Sequence, residues 1–207
     1  MKTDNFNKDY LVNDFLRKIC NIEQETDSSP KYPAWNLLYY VFLCVFKPTK
    51  ENIIIETGTH KGLSTIIMAQ VFKDFNYKGK IYTIEISKPH CDKTQENIKE
   101  AQLDKYIEVI NGNSLIELEK LLPKITRIDF AFLDGSHSCP DVYAEFNLIK
   151  DMVQKSEGSV YFDNVMWGGV KEALDKIKLD YPSGNLILFP NCSYTPDGQA
   201  IWQFAKN

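Results

Sequence analysis

The segment from Ile53 to Thr65 constrains the fold of this chain more than any other. It reads Ile-Ile-Ile-Glu-Thr-Gly-Thr-His-Lys-Gly-Leu-Ser-Thr: an apolar run that ends in an acid, two glycines, and then residues suited to a helix. A buried strand, a glycine turn and a helix N-terminus in this order predict the first unit of an α/β sheet. Such a turn aims free backbone N–H groups and a carboxylate at one small charged ligand.

The glycine spacing indicates which ligand this turn holds. A dinucleotide-binding turn reads G-x-G-x-x-G, whereas this chain has E-x-G-x-x-x-G, with His60 where the middle glycine would stand. Because that middle glycine lets the backbone approach a pyrophosphate closely, its absence argues against NAD or FAD. The turn suits a cofactor that has an amino-acid end and no phosphate, and we predict S-adenosylmethionine (SAM).

Apolar strands alternate with helices along the rest of the chain. The predicted strands are Ile53–Glu56, Lys80–Ile86, Ile107–Asn111, Ile128–Leu133, Ser159–Phe162, Leu186–Phe189 and Ala200–Phe204. The predicted helices are Gly62–Phe72, Pro89–Ala101, Ser114–Leu122, Pro140–Val153 and Val170–Leu179. This alternation predicts an α/β fold with a doubly wound, mostly parallel, seven-stranded Rossmann-like sheet. The last two strands, joined across Asn191–Gly198 without a helix, predict an antiparallel C-terminal edge.

Helices are also predicted before the first strand. Phe6–Cys20 has the apolar stripe of an amphipathic helix. Trp35–Phe46 is an apolar helix that is too short for a bilayer, which takes about 20 residues, and we expect it on the core or at a subunit interface. We therefore expect a single domain over 1–207, with 1–48 as a helical appendage or lid and 52–205 as the SAM-binding core.

Composition excludes several classes of partner. The net charge is -4 and no Lys/Arg cluster stands out, so a nucleic-acid partner is not expected. The five cysteines form no C-x-x-C pair, which argues against a zinc or redox site and favours idle thiols in a reducing cytosol. The start of the chain, Met1–Lys8, is mostly polar and shows no signal peptide. We expect a cytoplasmic protein without a membrane span.

Polar or glycine residues follow each of the first five predicted strands. In a doubly wound sheet, ligands bind beyond the carboxyl ends of the strands. In strand order, the candidate residues are Glu56, Gly58, Thr59, Gly62 and Ser64; Glu85; Asn113 and Ser114; Asp134 and His137; and Asp163 and Asn164. Their regular placement predicts one composite site.

The second strand ends in an acid that suits a ribose. Glu85 lies 23 residues after Gly62, and an acid at about that offset accepts hydrogen bonds from ribose hydroxyls. A surface charge at a strand end is the other interpretation of Glu85.

The fourth and fifth strands are followed by oxygen ligands. Asp134, Asp163 and Asn164 offer the oxygens that Mg²⁺ favours, and a bound cation lowers the pKa of a coordinated hydroxyl. The alternative is that Asp134 helps to hold the amino group of SAM while Asp163 and Asn164 cap a turn. His137, with an ordinary pKa near 6.5, suits a general base, or it is a hydrogen-bonded loop histidine.

Aromatic residues flank this predicted site. Trp167 is either an aromatic wall of the pocket or part of the core. Tyr32 and Trp35 could close the site from the N-terminal side.

With these residues assembled, the chain resembles the class I SAM-dependent methyltransferases. It is most similar to the cation-dependent O-methyltransferases of the catechol and caffeoyl-CoA type and to their bacterial relatives that act on glycans and natural products. Glu56-Thr57-Gly58-Thr59-His60-Lys61-Gly62-Leu63-Ser64 matches that family's E-x-G-x-x-x-G-x-S turn. Asp163-Asn164-Val165-Met166-Trp167-Gly168-Gly169 resembles its D-N-x-L-W-x-G segment, with Met166 in the leucine place. The resemblance spans Ile53 to Phe204.

The resemblance implies a role for each candidate. Glu56, Gly58 and Ser64 would hold the methionine end of SAM, and Glu85 would hold the ribose. Asn113 and Ser114 would lie on the adenine side. Asp134, Asp163 and Asn164 would bind Mg²⁺. His137 takes the place of the lysine base in catechol-type enzymes. The loop Asn191–Gly198 lacks the glutamate that those enzymes use to hold a second hydroxyl, so catechol specificity is not expected.

The sequence therefore predicts an enzyme, a SAM-dependent O-methyltransferase that acts on a hydroxyl of a small molecule or sugar with the help of Mg²⁺. His137 and Asp134 are its predicted catalytic residues. Three alternatives stay open: a non-catalytic SAM-binding domain, a metal-independent methyltransferase and, least favoured, an NAD-dependent oxidoreductase. The apolar helix Trp35–Phe46 leaves room for a homodimer.

Overall fold

A computed structural model describes residues 34–48, 50–189 and 197–205, with only the backbone given for residues 34–37. The predicted helix Phe6–Cys20, Tyr32, the side chain of Trp35 and most of the loop Asn191–Gly198 lie outside the described residues.

Seven strands form one sheet. They are β1 (Asn52–Thr57), β2 (Gly79–Glu85), β3 (Ile107–Asn111), β4 (Phe130–Leu133), β5 (Ser159–Phe162), β6 (Asn185–Phe189) and β7 (Gln199–Gln203). Their spatial order is β3-β2-β1-β4-β5-β7-β6. Strands β1 to β5 pair in parallel, whereas β7 runs antiparallel between β5 and β6. The prediction of a doubly wound sheet with an antiparallel C-terminal pair is confirmed.

Helices cover both faces of this sheet. In chain order they are α1 (Ala34–Val45), α2 (Leu63–Asp74), α3 (Lys88–Ala101), α4 (Ser114–Leu121), α5 (Cys139–Lys155) and α6 (Gly168–Asp180). One hydrophobic cluster joins α1, α2 and the end of α3 to the first face. A second cluster joins α4, α5 and α6 to the other face. Burial on both faces explains why the strand bodies are almost wholly apolar.

The apolar N-terminal helix packs on the sheet. Leu38 and Phe42 in α1 are fully buried, and the Phe42 ring meets Phe130 of β4 edge-on at 5.3 Å between ring centroids. The Tyr39 hydroxyl donates to Asp74 Oδ2 at 2.8 Å, which fixes α1 against α2. This helix was expected on the core or at a subunit interface, and the buried side chains of α1 pack on the core. Within the described residues no helix has the length and apolar character needed to cross a bilayer.

Two strand boundaries differ from the prediction where a side chain takes a backbone hydrogen bond. β4 begins at Phe130 instead of Ile128, because the Asp129 carboxylate accepts the N–H of Ile53 at 2.9 Å and so replaces a backbone partner. β2 ends at Glu85, and Ile86 is 71% exposed. The Glu85 carboxylate accepts the N–H of Ser87 at 2.8 Å, which turns the chain out of the sheet.

Candidate active site

The strand order reverses between β1 and β4, and a crevice opens there at the carboxyl end of the sheet. The two strand ends nearly touch. Asp134 N–H donates to Thr57 O at 3.0 Å, and a Cβ placed on Gly58 would lie 2.2 Å from Asp134 O. Gly58 also has φ of +83°, in the left-handed region that favours glycine. Only glycine fits this position, so the turn after β1 is built directly against the residue after β4.

The turn after β1 is held by its own backbone. Gly62 N–H donates to Thr59 O at 2.8 Å, and Gly62, with φ of +87°, begins α2 without a side-chain cap. His60 also has positive φ, and its N–H donates to Glu85 Oε2 at 2.8 Å. His60 therefore contributes its backbone to the turn.

Glu56 lies beneath this turn and is fully buried. Its carboxylate accepts hydroxyl hydrogen bonds from Ser64 at 2.5 Å, from Thr83 at 2.6 Å and from Thr65. Burial raises the pKa of Glu56, and the three hydroxyls oppose that rise. Glu56 thus joins β1, α2 and β2 at one point, and the hydroxyl of Ser64 faces Glu56.

Glu85 gathers the ends of the neighbouring strands. Besides the N–H groups of His60 and Ser87, it has the His90 ring nitrogen Nδ1 at 3.7 Å from Oε1. Its backbone carbonyl accepts the Gly112 N–H at 3.0 Å, which brings the end of β3 alongside. The predicted ribose acid is therefore anchored at the rim of the crevice and is 7% exposed.

The helix after β3 begins with a capping asparagine. Asn113 Oδ1 accepts the N–H groups of Leu115 and Ile116, at 3.1 and 3.3 Å. This cap fixes the N-terminus of α4 at the rim, with Ser114 as the first helical residue.

A cleft of about 210 Å³ brings four predicted cofactor residues together: Gly58, Glu85, Asn113 and Ser114 line it. Glu56 and Thr59 are buried, at 0% and 2% exposure. Ser64 is 9% exposed. Because these three residues expose little surface, they contribute to the cleft mainly by supporting the turn beside it.

A second group of polar residues follows β4 and β5. His137 Nε2 lies 2.7 Å from Asn164 Oδ1 and 3.8 Å from Asp134 Oδ1. Asp163 accepts the Gln199 amide hydrogen at 3.2 Å, and Asn164 has φ of +53°. The strand ends therefore bring the predicted catalytic and metal residues into one cluster.

An exposed aromatic ring borders this cluster. The Trp167 ring is centred 4.4 Å from the His137 ring and is 47% exposed. Its indole N–H donates to Asp197 Oδ1 at 3.1 Å. Of the two interpretations of Trp167, the structure favours an aromatic wall over a core residue.

The two acids of this cluster are partly buried, and burial opposes their ionisation. Burial raises the pKa of Asp134 to about 7, and the neighbouring Asp163 carboxyl adds to the rise while His137 opposes it. Burial also raises the pKa of Asp163. Contact with Asp134 raises the pKa of His137, although burial opposes it. Two acids that resist ionisation beside one histidine are a common mark of a functional site.

The donor set fits a hard cation chemically. Asp134 and Asp163 supply carboxylates and Asn164 an amide oxygen, and a cation beside them would oppose the rise in pKa that burial causes in both acids. No group of three His, Cys, Asp or Glu residues within the described part of the chain is arranged to hold a metal. A Mg²⁺ site therefore depends on Asn164, whose oxygen His137 now contacts.

Sequence reasoning missed the residues that support the site from below. Thr83 and Thr65 donate to Glu56, and the Thr57 hydroxyl donates to Glu145 Oε2 at 3.0 Å. Thr83 lies opposite Glu56 in the β1–β2 register. A lone threonine in an apolar strand was the available signal, but its partner depends on strand pairing.

The fold is that of a class I methyltransferase. A family model described as "Methyltransferase domain" matches residues 55–165, which include every predicted site residue. The match covers more than half of the 207 residues, and the chain belongs to this methyltransferase family.

Solved structures share the fold over nearly the whole chain. An O-methyltransferase from Bacillus cereus in complex with SAH is 21% identical, with a TM-score of 0.76, over 96% of this chain and 94% of that one. TomG from Streptomyces achromogenes, an O-methyltransferase of tomaymycin synthesis in complex with SAM, is 20% identical, with a TM-score of 0.76, over 100% of both chains. At these identities the likeness shows the fold alone.

Proposed function

We propose that this chain transfers the methyl group of SAM to a hydroxyl of a small molecule or sugar, with Mg²⁺ as the assisting cation. One observation carries the proposal: the turn at Gly58, which lines the cleft, packs directly against Asp134 of the titratable cluster. A cofactor in the cleft would therefore lie beside the groups that can activate a hydroxyl. Two structural neighbours named as O-methyltransferases in complex with SAH or SAM support this choice.

The methionine end of SAM is assigned to the turn after β1. Gly58, Thr59 and Gly62 offer backbone groups there, while Glu56 and Ser64 hold the turn from below. A helix N-terminus and free N–H groups suit the carboxylate of the methionine.

The nucleoside end is assigned to the rim formed by β2 and α4. Each carboxylate oxygen of Glu85 accepts one backbone N–H and keeps a further lone pair for a ribose hydroxyl. Asn113 and Ser114, at the N-terminus of α4, are assigned to the adenine side.

Proton removal is assigned to His137. Because the Asn164 amide oxygen can only accept, His137 Nε2 carries the hydrogen of their contact and Nδ1 is the basic nitrogen of the neutral ring. The acceptor oxygen then forms a bond to the methyl carbon while the carbon–sulfur bond breaks and its electron pair returns to sulfur. The hydroxyl proton passes to His137, and the departing cofactor is neutral SAH.

Asp134, Asp163 and Asn164 would hold Mg²⁺, which lowers the pKa of a hydroxyl and orients it. Metal-independent transfer is the second candidate. It is favoured by the 2.7 Å contact between His137 and Asn164, which already occupies the amide oxygen. Trp167 offers a flat surface on which an aromatic ring or the apolar face of a sugar can stack.

The test is a transfer assay with methyl-labelled SAM and a panel of phenols, sugars and hydroxylated natural-product scaffolds. We expect label in at least one hydroxyl compound, inhibition by EDTA and recovery with Mg²⁺. Undiminished transfer in EDTA would select the metal-independent candidate. Firm SAH binding with no transfer to any hydroxyl compound would select the non-catalytic SAM-binding domain and contradict the proposal.

A further inference from the structure

A buried carboxyl below the cleft has no part in the chemistry proposed above. Glu145 lies in α5, on the sheet face opposite to Glu56, and is fully buried. Its Oε2 accepts the hydroxyl of Thr57 at 3.0 Å. Its Oε1 is buried and has no hydrogen-bond partner among the described residues. A carboxyl is costly to bury, so its position needs an explanation.

Glu145 lies between the two ends of the cleft. Thr57 immediately precedes Gly58, and a Cβ on the cleft residue Gly135 would lie 3.0 Å from the Thr57 Cβ. On the other side, α5 packs against α4, the helix that begins at Ser114: Leu118 of α4 shares a buried cluster with Val142 and Phe146, which lie on either side of Glu145 in α5. The Ser114 hydroxyl opposes the rise in pKa that burial imposes on Glu145. One residue of α5 therefore holds the turn after β1 and lies on the helix that packs against α4.

Glu56 and Glu145 hold the end of β1 from opposite faces of the sheet. Glu56, in the strand, accepts hydroxyls from α2 and β2, whereas Thr57, the next residue, donates to an acid from α5. Successive strand residues point to opposite faces, so the turn at Gly58 is fixed from both sides. Glu56 fixes the turn alone, while Glu145 also joins the turn to the helix that packs against α4, whose first residue is Ser114.

We propose that Glu145 is a positioning residue that sets the spacing between the two ends of the cofactor cleft. The proposal rests on the proposed function, which assigns the turn at Gly58 to the methionine end of SAM and Ser114 to the adenine side. A ligand that spans both ends gains from the fixed spacing, because the cleft does not have to be ordered when it binds. A fragment that occupies one end gains little.

The test compares a spanning ligand with a fragment by calorimetry, using SAH and adenosine. We expect Glu145→Leu to weaken SAH binding about tenfold, as for a lost buried hydrogen bond, and adenosine binding less than about twofold. Glu145→Gln keeps an acceptor for Thr57 and should stay within about twofold of wild type for both ligands. Val153→Ala, at a fully buried position two turns further along α5, should lower the melting temperature without changing either affinity.

Thr57→Val provides a second route if Glu145→Leu does not fold. It removes the same hydrogen bond with little change of shape, and it should also weaken SAH about tenfold and adenosine less than about twofold. Unchanged SAH affinity in a folded variant would overturn the proposal, and so would an equal loss for SAH and adenosine. Wild-type protein that binds no SAH would instead overturn the proposed function itself.

Discussion

The two halves of the site are built in opposite ways. The cofactor half, from Glu56 to Ser114, is held by backbone N–H groups, by hydroxyls that donate to a buried acid and by a capped helix. The acceptor half, around Asp134, His137 and Asp163, gathers titratable groups with shifted pKa values, and burial is the main cause for the two acids. The first half has its hydrogen bonds in place before any ligand arrives, whereas the second half holds two partly buried acids whose ionisation a nearby cation would favour.

This difference indicates that one half binds the cofactor and the other half carries out the chemistry. A prearranged set of backbone donors binds a ligand without reorganisation. Groups with shifted pKa values are suited to exchange protons or bind a cation. Changes in one half should therefore alter cofactor affinity, and changes in the other should alter turnover.

The largest expected effect comes from Asp163→Ala. Asp163 does not line the cleft, so we expect methyl transfer to fall about 1,000-fold while SAH affinity stays within about twofold. Initial rates and an SAH titration measure the two quantities. Asp151→Ala removes an exposed acid from α5 and should change neither. An equal loss of SAH affinity and rate in Asp163→Ala would end the separation of the two halves.

Gly58→Ala should damage the cofactor half instead. The new Cβ would meet the Asp134 carbonyl and the backbone would hold an unfavourable positive φ. We expect SAH affinity to fall about 100-fold, with a loss of folding stability of about 3 kcal/mol. Gly168→Ala is the matched control, since nothing lies within 4 Å of a Cβ there. Wild-type SAH affinity in Gly58→Ala would show that the turn does not hold the cofactor.

Asn113→Ala removes the cap of α4. The loss should cost about 1 kcal/mol and weaken SAH about fivefold, because the helix N-terminus forms the rim of the cleft. Asn113→Ser keeps a capping oxygen and should retain most of the affinity. If both variants bind SAH equally poorly, the asparagine amide acts on the ligand directly and not through the cap.

The smallest effect is a pH dependence of stability from Glu56. Burial raises its folded pKa above the ordinary 4.5, so the unfolded chain loses the proton first as pH rises. The stability that Glu56 contributes is full below about pH 4.5 and is lost as pH rises through the folded pKa.

Urea unfolding of wild type and Glu56→Gln at about pH 4.5 and pH 8 measures this contribution. The advantage of wild type over the variant should shrink as pH rises. Glu119→Gln, at an exposed position of α4, is the control. A wild-type advantage that grows with pH would show that the hydroxyls stabilise the ionised carboxylate more than burial opposes it.

The contrast between the halves also explains what the sequence could predict. The turn from Glu56 to Ser64 is a local pattern of strand, glycines and helix start, and its geometry follows from adjacent residues. The mostly parallel sheet followed from the alternation of strands and helices. The boundaries of β2 and β4 did not, because the side chains of Glu85 and Asp129 replace backbone partners there.

Contacts between distant strands and helices were beyond sequence reasoning. The contact of His137 with Asn164 joins residues 27 apart, and that of Thr57 with Glu145 joins residues 88 apart. Glu145 reads as an ordinary charge on an amphipathic helix, and only the packing of α5 on the sheet shows that it is buried. The burial of Glu145 is therefore a finding of the structure alone.

The most direct test is a calorimetric titration of EDTA-treated wild-type protein with SAH, repeated in Mg²⁺. If the cofactor half is complete by itself, SAH binds saturably with one-to-one stoichiometry in both, and the two dissociation constants agree within about twofold. Binding that appears only with Mg²⁺, or in neither condition, would contradict a cofactor half that is independent of the acceptor half.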